Sequence, residues 1–219
     1  MAPVYCISGF GADKRIFKHL DFGRHEVHYI PWKTPEKKEN LNHYAQRLAS
    51  GIKHEKPVLL GVSFGGMVGI EISRLIPLRK LILISSVKTR DELPLYMRIA
   101  GNTRLNKVIP LKPYSFLAPL ENYQLGVRNE EEKELATTYR KNIDPIFSDW
   151  GINEILNWRN DDYPRNLFHI HGDDDHIFPI KNIKADYVVK GGGHLMLMDK
   201  APEISNVLQT VLKEAGGFS

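Results

Sequence analysis

The sequence predicts an α/β protein with a mostly parallel β-sheet of about six strands and helices on both of its faces. Short apolar runs rich in Val and Ile alternate with helical patterns over residues 1–87, and the alternation resumes after residue 158. Strand–helix–strand alternation is typical of parallel sheets. Two of the runs, 57–62 and 80–85, are apolar at nearly every position. Strands covered by helices on both faces have this pattern, whereas half-exposed strands alternate.

The core elements follow one another along the chain. The six predicted strands are 3–8, 25–31, 57–62, 80–85, 166–172 and 185–191. The predicted helices of the core are 13–20, 41–52, 65–75 and, at the end, about 201–214. A chain of 219 residues is long enough to bury the interior that such a sheet needs.

Residues 88–158 have a different pattern, with no convincing strand and several helix-like stretches broken by prolines and glycines. A structureless loop of this length is uncommon in a compact domain, so a helical insertion is expected. The sequence thus predicts one core made of residues 1–87 and 159–219, interrupted by a helical insertion over 88–158.

Composition excludes several classes of protein. The chain has one cysteine, Cys6, so no disulfide can form within it, and a reducing compartment is expected. The first residues lack the basic and apolar regions of a signal peptide, and no apolar run approaches the roughly 20 residues that cross a bilayer. We therefore expect a cytoplasmic protein without a membrane span. The net charge of +4 comes from basic residues scattered among acidic ones, which predicts no nucleic-acid binding. The sequence makes no prediction of the oligomeric state.

Residues Gly61–Gly65 form the motif G-x-S-x-G between a predicted strand and a predicted helix. In this context the motif predicts a nucleophile elbow, a turn that holds Ser63 in a strained conformation at the end of the strand. Glycines at both ends of the motif avoid collisions between a Cβ atom and the neighbouring backbone. The alternative is a tight turn without chemistry, since a five-residue match is common by chance.

A serine hydroxyl needs a base to act as a nucleophile at neutral pH. His194 is the candidate, because it follows the last predicted strand and three glycines that let the chain fold closely over the sheet edge. A loop histidine without a catalytic role is the alternative. His169 and His171 lie two residues apart on one strand and fit core or strand-end positions better. Five further histidines lie in charged, surface-like stretches: His19, His25, His28, His43 and His54.

A neutral imidazole needs a partner that holds its tautomer. Asp173, Asp174 and Asp175 all follow the fifth predicted strand. We prefer Asp175, because the other two suit turn capping or solvent exposure. A metal site that adds His171 and His176 to Asp173 and Asp175 is an alternative, but this spacing fits no specific metal site. The sequence therefore predicts neither a metal nor a cofactor.

Acyl transfer also needs hydrogen-bond donors for an oxyanion, and backbone N–H groups serve well because they are already in position. The elbow supplies the N–H of Phe64. We expect the second donor to be the N–H of Phe10, in the loop after the first strand, where Gly9 and Gly11 let the backbone face a ligand. The alternative is a glycine-rich turn capped by Asp13.

These segments together resemble the α/β-hydrolase superfamily. The resemblance rests on Gly61–Gly65, His171–Pro179 and Gly193–His194, in the family's order of serine, aspartate and histidine. Ser8–Gly11 lies where the family usually has a His-Gly oxyanion loop, and Ser8 replaces that histidine. The insertion lies where the family has its lid. Because the first strand begins at residue 3, the resemblance implies a minimal version without the family's N-terminal antiparallel hairpin.

The motif and the resemblance predict a serine hydrolase that cleaves an ester, a thioester or a related carbonyl of a small-molecule acyl substrate. Ser63 attacks, His194 moves the proton, Asp175 orients His194, and an acyl-enzyme forms. An acyltransferase or a C–C bond hydrolase with the same triad is an alternative. Two others are a ligand-binding, receptor-like protein with little turnover and an interaction protein whose serine is incidental.

The predicted insertion supplies candidates for a substrate pocket. Six of its apolar side chains are candidates to line an acyl pocket, although packing against the sheet is the simpler explanation: Leu95, Tyr96, Met97, Ile99, Phe116 and Leu117. Of these we prefer Leu95, Tyr96, Ile99 and Phe116. The first third of the insertion is basic, which indicates either an acidic substrate or a solvated helix face. The basic residues are Lys88, Arg90, Arg98, Arg104, Lys107 and Lys112.

Overall fold

The protein is built on a six-stranded parallel sheet with strand order β2-β1-β3-β4-β5-β6. The structure, a computed structural model, describes residues 1–103 and 118–216. The strands are β1 (Val4–Ile7), β2 (Val27–Ile30), β3 (Val58–Val62), β4 (Lys80–Ile84), β5 (Leu167–Gly172) and β6 (Tyr187–Val189). All neighbouring strands pair in parallel. The prediction of a six-stranded parallel sheet is confirmed.

Seven α-helices occur in the described part of the chain. They are α1 (Leu41–Ala49), α2 (Phe64–Ser73), α3 (Leu95–Thr103), α4 (Ala118–Leu125), α5 (Glu130–Asn142), α6 (Pro145–Asn157) and α7 (Ala201–Gly216). The prediction of an α-helix over 13–20 is wrong, because this stretch forms a 3-10 turn at Lys14–Phe17. The N–H groups of Ile16, Lys18 and Leu20 each donate to the carbonyl three residues earlier, which is the 3-10 pattern.

The alternation of side chains along each strand divides the core into two layers. On β3, Val58, Leu60 and Val62 pack in the layer that contains α7 and the 3-10 turn. Leu59, between them, packs in the opposite layer with α1 and α2. The central strands are therefore apolar on both faces, as the uninterrupted apolar runs predict.

The chain between β4 and β5 forms helices α3 to α6, and α6 joins this segment to the sheet. Asp144 caps α6 by accepting a hydrogen bond from the N–H of Ile146 at 2.9 Å. Phe147, in the first turn of α6, is buried and stacks on Phe10 at 5.5 Å between ring centroids. Its ring also meets Phe64 edge-on at 6.4 Å. This contact sets the segment over the carboxyl ends of β1 and β3.

The described helices can be compared with the length and apolarity that a membrane-spanning helix needs. Over residues 1–103 and 118–216, none of them is both long enough and apolar enough to span a membrane.

Candidate active site

The turn between β3 and α2 places Ser63 at the carboxyl edge of the sheet. Ser63 has φ 53° and ψ −120°, a strained conformation for a residue with a side chain. A Cβ on Gly61 would collide with the carbonyl oxygen of Gly65, and a Cβ on Gly65 would collide with the carbonyl oxygen of Ser8. The two glycines of the motif are therefore required by close packing on both sides of the serine.

Ser63, His194 and Asp175 form one chain of hydrogen bonds across three loops. Nε2 of His194 lies 2.9 Å from the Ser63 hydroxyl oxygen, and Nδ1 lies 2.8 Å from Oδ2 of Asp175. An ionised carboxylate only accepts hydrogen bonds, so Nδ1 carries the proton of the neutral ring. Nε2 then presents its lone pair to the serine hydroxyl. Asp175 and His194 are both buried.

The turn after β5 holds the Asp175 carboxylate in place. Its Oδ1 accepts from the N–H groups of Ile177 and Phe178, both at 2.9 Å. Burial acts to raise the pKa of Asp175, but the His194 imidazole, His171 and the N–H of Phe178 together hold it below the ordinary value. Asp175 is therefore ionised at neutral pH.

Two buried histidines of β5, His169 and His171, lie behind Asp175. His171 has Nε2 at 2.8 Å from the Phe178 carbonyl oxygen and at 3.5 Å from Oδ2 of Asp175. Its Nδ1 lies 3.3 Å from Nε2 of His169. Burial lowers the pKa of both imidazoles, so both rings are neutral. His171 thus donates to the Phe178 carbonyl and pins the turn whose amides bind Asp175.

The structure separates the three neighbouring aspartates. Asp173 accepts from the N–H of Gly191, and Asp174 is half exposed and pairs with Arg128 at 2.9 Å. Of the three carboxylates, Asp175 is the one that contacts His194. Among the described residues, the alternative metal set in this stretch does not form a cluster of three ligands.

The two segments that carry the predicted oxyanion donors, Phe10 and Phe64, lie next to Ser63. Phe64 is the first residue of α2, and the first N–H groups of a helix have no partner within it. Phe10 follows Gly9, where an added Cβ would lie 3.6 Å from Cβ of Ser63. The Phe10 loop is fixed by the Ser8 hydroxyl, which donates to the Ala12 carbonyl at 2.7 Å. The geometry therefore brings both segments to the serine.

Ser63 and His194 open into a cavity of about 440 Å³. Its apolar wall includes Phe10, Met97, Leu125, Ile143, Ile152 and Ile155. One ion pair interrupts this wall, between Arg140 and Glu121 at 3.5 Å. These lining residues come mainly from helices of the β4–β5 segment, and no motif in the sequence marks them.

A larger concavity of about 880 Å³ lies on the other side of the loop after β1. It includes Asp13, Arg15 and Lys33 but neither Ser63 nor His194. Size therefore does not identify the site, and we place it at the smaller cavity, where the serine and the imidazole meet.

Of the pocket candidates on α3, Met97 lines the cavity and the preferred residues Leu95, Tyr96 and Ile99 do not. Leu95, Tyr96 and Ile99 are 63%, 58% and 52% exposed, respectively. They occupy one side of α3, whereas Met97, about 100° or more around the helix from each of them, lines the cavity. Phe116 and Leu117 lie outside the described residues, as do Arg104, Lys107 and Lys112.

Comparison with known proteins identifies the fold. No protein-family model matches the chain, and no curated protein matches it in sequence. Solved structures do match. A thermophilic esterase from Thermogutta terrifontis has a TM-score of 0.72 at 19% identity, over 98% of this chain and 90% of that chain. MenH from S. aureus has a TM-score of 0.72 at 17% identity, over 98% and 95%. An α/β-hydrolase fold protein from Burkholderia ambifaria has a TM-score of 0.66 at 17% identity, over 95% and 90%.

These matches cover nearly the whole of each chain, so the protein has the α/β-hydrolase fold. The resemblance drawn from the serine, aspartate and histidine motifs is confirmed at the level of the fold. A fold of this kind supports many chemistries, so the activity must be argued from the site.

Proposed function

We propose that the protein is a serine hydrolase that cleaves an ester, a thioester or a related carbonyl of a small-molecule acyl substrate. The observation that carries the proposal is the hydrogen-bonded chain from Ser63 through His194 to Asp175, with Ser63 and His194 at the wall of a cavity. A fold neighbour described as an esterase supports the same class of reaction.

The proposed reaction follows from the proton positions. The Ser63 oxygen attacks the carbonyl carbon while Nε2 of His194 accepts the hydroxyl proton. The resulting imidazolium is stabilised by the ionised Asp175, and it returns the proton to the leaving group. Water, activated in turn by His194, then hydrolyses the acyl-enzyme and releases the acid.

The negative charge that develops on the carbonyl oxygen needs donors in the same place. The N–H groups of Phe64 and Phe10 supply them in the proposal, with the helix α2 directing its positive end toward the site. Loss of one such donor typically costs about 3 kcal/mol of barrier. Both are backbone groups, so side-chain changes at these positions alter packing rather than the donors themselves.

The cavity indicates the kind of substrate. Its volume of about 440 Å³ lies in the range of small-molecule sites, and its wall is mostly apolar. In the proposal, the β4–β5 segment acts as a lid over the sheet edge and supplies the acyl pocket through Met97, Ile152 and Ile155. The single buried cysteine, Cys6, supports a reducing, cytoplasmic setting for this activity.

A fluorophosphonate probe tests the nucleophile, and mass spectrometry should locate the adduct on Ser63. Folded protein that does not react, or that reacts on another serine, would contradict the proposal. A panel of p-nitrophenyl esters and acyl-thioesters of graded chain length then measures the pocket.

Added amine or alcohol acceptors distinguish hydrolysis from acyl transfer, because a transferase forms the acceptor adduct faster than free acid. C–C bond substrates would be expected to turn over faster than esters in a C–C hydrolase. Labelling of Ser63 without turnover of any substrate would favour a ligand-binding protein.

A further inference from the structure

Two histidines and a glutamate converge on the edge of the sheet, away from Ser63. Glu26 and His28 belong to the chain that enters and forms β2, the edge strand, and His54 lies between α1 and β3. One ligand atom from each residue lies within 4.8 Å of the other two. In the described part of the chain, no other group of three histidine, cysteine, aspartate or glutamate residues has its ligand atoms within this distance of one another.

The backbone explains why these side chains meet. Residues two apart on a strand share a face, so Glu26 and His28 point the same way. His28 pairs in register with Tyr5 of β1, and the two rings stack at 4.6 Å between centroids. The His54 ring lies 5.2 Å from the His28 ring. Three side chains from two distant chain segments are therefore held around one point.

The atoms of His28 and Glu26 are arranged for sharing a cation. Nε2 of His28 lies 3.1 Å from Oε1 of Glu26. It is shielded from solvent, yet it has no partner with the geometry of a hydrogen bond among the described residues. A metal ion bound to both atoms would give this nitrogen the partner that it lacks.

His54 has the kind of support that metal-binding histidines usually have. Its Nδ1 lies 2.8 Å from the hydroxyl of the buried Tyr5, which also accepts from the N–H of Lys53 at 3.2 Å. In the tautomer that donates its Nδ1 proton to the Tyr5 oxygen, this hydrogen bond fixes the orientation of the imidazole and leaves the lone pair of Nε2 available to a metal. Tyr5 thus contacts both histidines, one by stacking and one by its hydroxyl.

From this geometry we propose that Glu26, His28 and His54 bind a divalent transition metal, with Zn²⁺ as the probe of choice. Two imidazole nitrogens and one carboxylate oxygen form a ligand set that suits Zn²⁺, and water completes the coordination because Glu26 and His54 are exposed. The ligand set carries one negative charge, so it partly neutralises the ion. The bound metal ties the edge strand β2 to the loop that leads into β3.

The site lies apart from the proposed nucleophile. Tyr5 pairs in register with Leu59, four residues before Ser63, and a strand rises about 3.3 Å per residue. The metal therefore has no part in the proposed hydrolysis. Its expected effect is on the stability of the sheet edge, by binding to the folded chain and not to the unfolded one.

The experiment is a zinc titration of untagged protein at pH 7.5 by calorimetry, with Co²⁺ absorption as a second readout of the coordination. We expect one ion per chain and a rise in Tm with added zinc. His28→Gln and His54→Gln should each weaken binding at least about tenfold and remove the rise in Tm. Tyr5→Phe should weaken it by about tenfold through the orientation of His54.

His43→Gln is the matched control, because His43 is an exposed histidine of α1 outside the cluster, and it should bind zinc as the unaltered protein does. Equal binding by all variants would assign zinc to other histidines and overturn the proposal. Absence of binding would also overturn it. Neither outcome affects fluorophosphonate labelling of Ser63.

Discussion

Two neighbouring central strands end in a serine with positive φ, and the two serines have opposite surroundings. Ser63 follows β3 with φ 53°, and Ser85 follows β4 with φ 48°. The Ser63 hydroxyl meets His194 and opens into the cavity. Ser85 is fully buried, and its hydroxyl has no hydrogen-bond partner among the described residues. A strained serine at a strand end is therefore not sufficient to indicate a nucleophile.

The two turns lead into different structures. After Ser63 the chain passes directly into α2, whose free N–H groups face the site, and Gly65 allows close contact with the backbone of β1. After Ser85 the chain continues through Ser86 and the buried Val87, with no helix at that point. Backbone strain is common to both turns. What distinguishes the proposed active turn at Ser63 from the turn at Ser85 is the helix α2 that follows it and the contact with His194.

The largest expected effect comes from removing each hydroxyl in turn. Ser63→Ala should lower kcat on the best ester of the panel by about 10⁴- to 10⁶-fold, because no nucleophile remains. Ser85→Ala should leave kcat within about twofold, and it should not lower stability, because its hydroxyl makes no hydrogen bond. Steady-state kinetics and urea denaturation of both variants measure this contrast. Equal activity of the two variants would remove the distinction between the turns.

The second prediction tests the base and its orientation. Asp175→Asn should lower kcat by about 10⁴-fold, since an amide donates to Nδ1 and forces the His194 proton onto Nε2, where it blocks acceptance from Ser63. Asp174→Asn is the matched control, and it should keep kcat within about twofold because Asp174 pairs at the surface with Arg128. Comparable losses in both variants would show that the acidic turn, and not one carboxylate, matters.

A third prediction concerns the buried histidines of β5, which pairs with β4 beside the Ser85 turn. Burial lowers the pKa of His169 far below its ordinary value, and the neighbouring His171 and Lys88 lower it further. Above about pH 6.5 this histidine is neutral in both the folded and the unfolded chain. Below that pH the unfolded chain binds a proton that the folded chain does not, so stability decreases as pH falls.

The variant His169→Gln removes this contribution. The loss in the free energy of unfolding between pH 7.5 and pH 5.5 should be about 1 kcal/mol smaller in His169→Gln than in the unaltered protein. Urea denaturation at the two pH values measures it, with the exposed His43→Gln as the control that retains the original pH dependence. An unchanged difference in His169→Gln would mean that His169 takes up a proton while buried.

The fold and the meeting of Ser63, His194 and Asp175 were predictable from the sequence because they depend on local patterns. The apolar runs at β3 and β4 identify buried parallel strands, and G-x-S-x-G identifies a turn whose glycines are required by close packing. The order of Ser63, Asp175 and His194 along the chain then follows the order of strands β3, β5 and β6 in the sheet. Their convergence rests on the fact that parallel strands all end at one edge.

The pocket was not predictable in the same way. Apolarity marked Leu95, Tyr96, Met97 and Ile99 alike, and it could not say which of them faces the cavity. That depends on how α3 packs, and the side that faces the cavity carries Met97, which was not among the preferred residues. The cluster of His28 and His54 was likewise invisible, because its members meet only when β1 pairs with β2 on one side and with β3 on the other. A contact between two distant segments leaves no pattern in the sequence of either segment.

A smaller effect than those of Ser63 and Asp175 is expected at Ser86, which links the two turns. Its hydroxyl donates to the Ser63 carbonyl at 2.7 Å, and that carbonyl also accepts from the N–H of Gly66 at 2.9 Å. Ser86→Ala should therefore lower the free energy of unfolding by about 1 kcal/mol, since one buried hydrogen bond is lost while the carbonyl keeps a second partner.

The effect of Ser86→Ala on kcat should be larger than that of Ser85→Ala, although Ser86 touches no proposed reacting atom. A loosened Ser63 carbonyl lets the elbow relax, so we expect kcat to fall by about three- to tenfold with KM unchanged. Kinetics of the two adjacent alanine variants under the same conditions make the test. If Ser85→Ala has the larger effect, strain at the β4 turn, and not the hydrogen bond between the turns, supports the elbow.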